Sequence, residues 1–310
     1  MKNTWIMLVG GAVIIAVLSY LLNTGIFKHA PAQTADTKSL QIVTSFYPMY
    51  FFTSQMVGNK ADVLNITPSG AEPHDYEPTA QDIAHIETSN LLILNGGKLE
   101  PWGEKIKSDL QGKQVTIVTA GEGLANQQIE EEGETIQDPH IWLSPPLAKQ
   151  EIKAILEGLI KVDPQNKDYY TANADTLLQN IDQLDQEYKT GLSSCSQKSF
   201  VTSHAAFGYL AKNYGINQIA ISGVSPDEEP SSQKLAQIAD FAKKNNVKYI
   251  FFESLVSPKL SETIANEIGA KTLVLDPIEG ISDKDMKAGK NYITIMKDNL
   301  TNLRLALACK

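Results

Sequence analysis

Short runs of β-branched and aliphatic residues alternate along this chain with stretches whose apolar positions fall three and four apart. Gln41–Ser45, Asp62–Ile66, Leu91–Asn95 and Val115–Val118 form one set of runs, and Phe200–Thr202, Gln218–Ser222, Val247–Phe252 and Thr272–Leu275 a second. Helical spacing separates the first set at Pro48–Val57, Thr79–Ser89 and Pro101–Leu110, and the second at Ala205–Tyr214, Ser232–Asn245 and Pro258–Ile268. Strands that alternate with helices predict a parallel sheet covered by helices on its faces. Two matching sets predict an α/β protein of two pseudo-symmetric lobes, each a four-stranded, mostly parallel sheet flanked by helices.

The stretch between the sets reads as helix. Ser144-Pro145 is an N-cap followed by a proline suited to the first helical position, opening a helix to about Val162. Asp163-Pro164 repeats that signal. From there Tyr170, Ala174, Leu177, Ile181, Leu184 and Tyr188 recur at helical spacing and form one apolar stripe. A helix over residues 164–192 is about 40 Å long, enough to join two lobes and to resist hinge bending. A last helical pattern, Met286–Leu307, closes the chain. The acidic run Glu130–Glu134, within Gly121–Gln137, is loop by composition.

The N-terminus adds an address. Lys2 precedes an uncharged, mostly apolar run of 23 residues, Thr4–Ile26, which Lys28 closes. Such a run can span a bilayer. It predicts a signal anchor over residues 1–28, holding the protein on the outer face of the cytoplasmic membrane. The alternative is a cleaved signal peptide and a secreted or periplasmic product, with Ala30-Pro31-Ala32 a poor cleavage site. Residues 29–40, small and polar, read as a tether. The lobes then occupy residues 41–163 and 193–310, joined by the helix at 164–192. Export puts Cys195 and Cys309 in an oxidising compartment, where they are expected to pair, two free thiols being the alternative. The net charge of −9 argues against nucleic acid as a partner.

Five histidines bear on the chemistry. His29 lies in the tether and His85 in a helical pattern, and both read as incidental. His74 stands in the loop Pro68–Pro78, stiffened by three prolines and a glycine. His140 is braced by Pro139, Trp142 and Pro145. His204 follows the strand Phe200–Thr202, with Ser203 placed to cap the next helix; a core histidine bonded to backbone is the competing reading. Asp276 and Glu279 follow the last strand. Three imidazoles and one carboxylate make a closed four-coordinate shell that suits zinc. A zinc hydrolase is the rival. It needs an open coordination position and a base, for which only Glu72 or Glu77 beside His74 offer themselves.

Five segments carry a resemblance: Thr44-Ser45-Phe46-Tyr47-Pro48, Gly70-Ala71-Glu72-Pro73-His74-Asp75-Tyr76-Glu77-Pro78, Asp138-Pro139-His140-Ile141-Trp142-Leu143, Ser203-His204-Ala205-Ala206-Phe207-Gly208-Tyr209-Leu210 and Leu275-Asp276-Pro277-Ile278-Glu279-Gly280. In order and content they resemble the solute-binding proteins of metal-ion ABC importers, the zinc and manganese family that includes streptococcal adhesin-like lipoproteins. The resemblance implies an extracytoplasmic, high-affinity Zn²⁺ receptor that serves an ABC permease as a monomer and is not an enzyme. It implies His74, His140 and His204 as ligands, with Glu279 as the fourth and Asp276 as its alternative. Mn²⁺ is the less favoured metal, and an adhesin role is not separable from transport. Two departures stand out. The lipid-bearing N-terminal Cys common in the family is absent, and the acidic loop carries no histidine.

Overall fold

The computed structural model describes residues 39–131 and 134–310. The anchor over 1–28, all but the end of the tether, His29 and the tip of the acidic run lie outside the described residues. The first sheet contains β1 (Leu40–Thr44), β2 (Ala61–Asn65), β3 (Leu91–Leu94) and β4 (Thr116–Thr119). All are parallel, in the order β2-β1-β3-β4, with Ile42 level with Val63 on one side and Leu91 on the other. Between them run α1 (Tyr47–Val57), α2 (Ala80–Thr88) and α3 (Gly103–Asp109). All four residues of β3 are buried, as a central parallel strand requires.

The second sheet contains β7 (Ser199–Thr202), β8 (Asn217–Ala220), β9 (Tyr249–Phe252) and β10 (Lys271–Val274), parallel in the order β10-β9-β7-β8. Counted within its own lobe this is the strand order of the first sheet, so the pseudo-symmetry is one of topology. Helices α6 (Gly208–Tyr214), α7 (Ser232–Lys244) and α8 (Lys259–Ile268) intervene.

Several local expectations change. The acidic segment is no loop: β5 (Gln128–Glu131) and β6 (Glu134–Gln137) form an antiparallel hairpin with Ile129 opposite Ile136. Charge had masked a short β-favouring alternation. Leu40, assigned to the tether, begins β1. Ser203 does not cap a helix; α6 starts only at Gly208, after an irregular link that turns His204 inward. The closing helical pattern is two helices, α9 (Asp283–Lys287) and α10 (Tyr292–Ala306), the second opened by an Asn291 capping box.

Ser144 caps α4 (Pro145–Val162), and a 3₁₀ turn, Pro164–Asn166, leads into the long helix α5 (Lys167–Leu192). The apolar stripe read from the sequence is the buried face of α5. Asn173 Nδ2 donates to Met56 O of α1 at 2.9 Å, and Tyr188 OH to Met296 O of α10 at 2.7 Å. One helix therefore packs on both lobes. A disulfide between Cys195 and Cys309 ties the end of α5 to the end of α10. Among the described residues no helix is long and apolar enough to cross a membrane.

Candidate metal centre

In parallel α/β sheets ligands collect beyond the carboxyl ends of the strands. His74 lies in the loop after β2, His204 just past β7 and Glu279 in the turn after β10. His140 follows the hairpin that extends the exit from β4. The four side chains meet between the lobes. His140 and His204 are fully buried, Glu279 is 1% exposed, and the His74 side chain is 7% exposed.

The donor atoms face one another at a characteristic spacing. His140 Nε2 lies 3.2 Å from His74 Nε2, 3.3 Å from His204 Nε2 and 3.1 Å from Glu279 Oε1. Glu279 Oε1 is 3.4 Å from His74 Nε2 and 3.3 Å from His204 Nε2. A regular tetrahedron around zinc, with bonds of about 2.0–2.1 Å, has edges of about 3.3 Å. Five of the six separations among the four donor atoms therefore match the edges of a zinc tetrahedron, and all four atoms lie within 4.8 Å of one another. His85 is exposed on α2 and takes no part. Asp276 is also outside the shell: its carboxylate accepts from Ile278 N at 2.7 Å and from Ser254 Oγ.

Two more carboxylates aim the imidazoles. His140 Nδ1 lies 2.8 Å from Asp138 Oδ1, and His204 Nδ1 lies 2.7 Å from Glu253 Oε1. A carboxylate there demands a proton on Nδ1, which leaves the Nε2 lone pair directed at the common centre. Asp138 is two residues from His140 and was visible in the Asp-Pro-His motif, though nothing local marked its role. Glu253 is 49 positions from His204, and only β9 lying beside β7 brings it there.

The shell's electrostatics follow from burial and these neighbours. Burial holds His74 below the usual imidazole range. It pulls the same way on His140, but Asp138 and Glu279 outweigh it and hold the ring above that range. Against burial again, Glu253 and Glu279 hold His204 well above it. Burial pushes Glu279 up, but the three imidazoles keep it well below the usual carboxylate range. Glu72 is pushed up to about 9 by burial and the nearby Glu279, and is a neutral acid at pH 7. Glu77 is exposed.

Two matched lobes that close on a buried, preformed set of four donors define a solute-binding protein for a metal ion. The chain belongs to the family described as zinc-uptake complex component A, periplasmic, which it matches over residues 42–306. It is similar to the high-affinity zinc uptake system protein ZnuA of Bacillus subtilis, 43% identical over 290 residues that cover 89% of this chain and 91% of that one. It is 41% identical to the zinc-binding protein AdcA of Streptococcus pyogenes over 86% of this chain, but spans only 56% of that longer relative. Among solved structures, the Zn(II)-bound ZnuA-like domain of Streptococcus pneumoniae AdcA superposes with a TM-score of 0.76 at 41% identity, covering 87% of this chain and 99% of that domain. Members of this family bind metal and are not enzymes.

Proposed function

We propose that this protein is an extracytoplasmic receptor that captures one Zn²⁺ on His74, His140, His204 and Glu279 and hands it to an ABC permease. The observation that carries the reading is that five of the six donor separations, 3.1–3.4 Å, match the edges of a zinc tetrahedron. Three imidazoles favour zinc over manganese, which prefers hard oxygen donors. Four protein donors leave no open position for a hydrolytic water. All four come from one chain, which suits a monomer. Residues 40–163 and 193–310 act as the two jaws, Leu40 belonging to β1, and 164–192 as their common spine, while residues 1–28 anchor the protein and 29–39 tether it.

Metal analysis of purified protein should find one zinc per chain. His74→Ala, His140→Ala and His204→Ala should each lower zinc affinity by at least about 100-fold, since even outer partners of such ligands are worth 10–100-fold. Two tight sites per chain, or unchanged binding in the three variants, refutes the site. Full-length protein should also pellet with membranes and retain its N-terminal residues by mass spectrometry. A mature mass beginning near Gln33 refutes the anchor.

A further inference from the structure

The turn that carries Glu279 holds a backbone conformation found at no other buried non-glycine residue among those described. Four non-glycine residues among those described have positive φ: Lys98, Asn246, Ile278 and Ala308. Three are exposed, and none of these three is β-branched. Ile278, at φ 60°, is fully buried and β-branched, the side-chain type least compatible with this conformation. A residue stays there only when its surroundings over-determine it.

The surroundings do so from both lobes. On its own lobe, Asn299 of α10 pins the start of the turn, accepting from Asp276 N at 2.8 Å and donating to Asp276 O at 2.7 Å. The Asp276 carboxylate then takes the N–H of Ile278 at 2.7 Å. The other lobe holds the turn on either side of Glu279. Trp142 Nε1 donates to Pro277 O at 2.7 Å, and Ser69 Oγ donates to Ile281 O at 2.7 Å. A Cβ added at Gly280 would lie 3.0 Å from Leu255 Cδ1 of its own lobe and 3.4 Å from Ala71 O of the other, in the loop that leads to His74. A cavity of about 420 Å³ opens beside the turn, lined in part by Ser254, Leu255, Ile281 and Ser282. Space exists for the turn to move into.

We propose that the Asp276–Ile281 turn is a sprung latch with Ile278 as its pivot. Contact with the opposite lobe holds Ile278 in the left-handed conformation and so presents Glu279 to the metal. When that contact is lost the backbone relaxes, Glu279 withdraws toward the cavity, and the metal leaves a shell reduced to three imidazoles. Ile278 and Ser69 are thus positioning residues that set the rate of metal release. The inference rests on the zinc-receptor reading of the four-donor site.

The test compares Ile278→Ala with Ile278→Gly, since both lose the buried side chain and only Ala keeps the Cβ that penalises positive φ. Each protein, loaded with zinc, is mixed with excess chelator and the release is timed. With strain confined to the latched form, Ile278→Gly should release zinc about 5- to 30-fold more slowly than Ile278→Ala. Ser69→Ala, which removes one inter-lobe hydrogen bond from a part-buried site, should release zinc about 2- to 10-fold faster than wild type. Its metal-free melting temperature and its one zinc per chain should not change. Equal rates for the Ala and Gly variants, or wild-type release from Ser69→Ala, overturn the latch. Should both Ile278 variants fail to fold, the Ser69→Ala rate alone decides. Failure of wild-type protein to bind zinc overturns the receptor reading and the latch together; one zinc per chain with unaltered release overturns the latch alone.

Discussion

A carboxyl group taken from water and given no hydrogen-bond partner is cheapest to hold as the neutral acid. Glu151, on α4, is fully buried, and neither of its oxygens has a partner among the described residues. Burial, reinforced by Glu100, pushes it well above the usual carboxylate range. Glu100 is also buried but accepts from Asn95 N at 2.7 Å and Gly96 N at 3.0 Å, which offset part of the burial that raises it. For Glu151 the folded pKa exceeds the unfolded one. Stability is therefore whole below the unfolded value, about 4.3, and declines as pH rises through the interval up to the folded value. Glu151→Met keeps the volume and removes the ionisable group. It should stabilise the protein by about 1–3 kcal/mol at pH 8, with a smaller gain at pH 4. Denaturant titration at both pH values checks this; a variant less stable at both would show a polar role for Glu151.

Among the elements, α5 is the one on which both lobes are assembled. Its stripe Tyr170, Ala174, Leu177, Ile181, Leu184 and Tyr188 is continuous, so the helix has no natural break at which to bend. The chain leaves α5, builds the second lobe, and returns through α10, and the Cys195–Cys309 bond closes that excursion of 114 residues. Closing so long a loop mainly restricts the unfolded chain. Cys195→Ala/Cys309→Ala should lower unfolding stability by roughly 2–4 kcal/mol. Because neither cysteine lies in the shell, the double variant should still bind one zinc. Equal denaturation midpoints for the double variant and the oxidised protein would show that the bond contributes nothing.

At the scale of the whole molecule, closing two lobes around acidic and basic groups links metal binding to protons. Without metal, the carboxylates from both lobes hold His204 and His140 above the usual imidazole range. Their protons persist to a higher pH than an ordinary imidazole would allow, and metal must displace them. The sign is clear: zinc affinity should fall as pH drops, beginning above the ordinary value of about 6.5 rather than below it. Each proton displaced costs about tenfold in affinity per pH unit. Chelator competition at pH 8, 7 and 6 should show at least that slope, and a flat profile would contradict imidazole ligation.

Local chemistry wrote much of this into the chain. The eight parallel strands follow from short apolar runs, and α5 from a stripe at 3.6-residue spacing, because both are periodicities of neighbours. The histidine loops were marked by proline density, and the family resemblance singled out His74, His140, His204 and Glu279 among the polar residues. Folding decided what depends on distant partners. The hairpin Gln128–Gln137 forms because Ile129 meets Ile136, which composition concealed. Asp276 and Glu279 are three residues apart and chemically alike, yet Asn299 and Ser254 turn one into a brace while the other faces the imidazoles. Glu253 reaches His204 only because β9 lies beside β7. The left-handed Ile278 runs against its own local preference, so no reading of neighbours could have found it; Trp142, Ser69 and Asn299 impose it from both lobes.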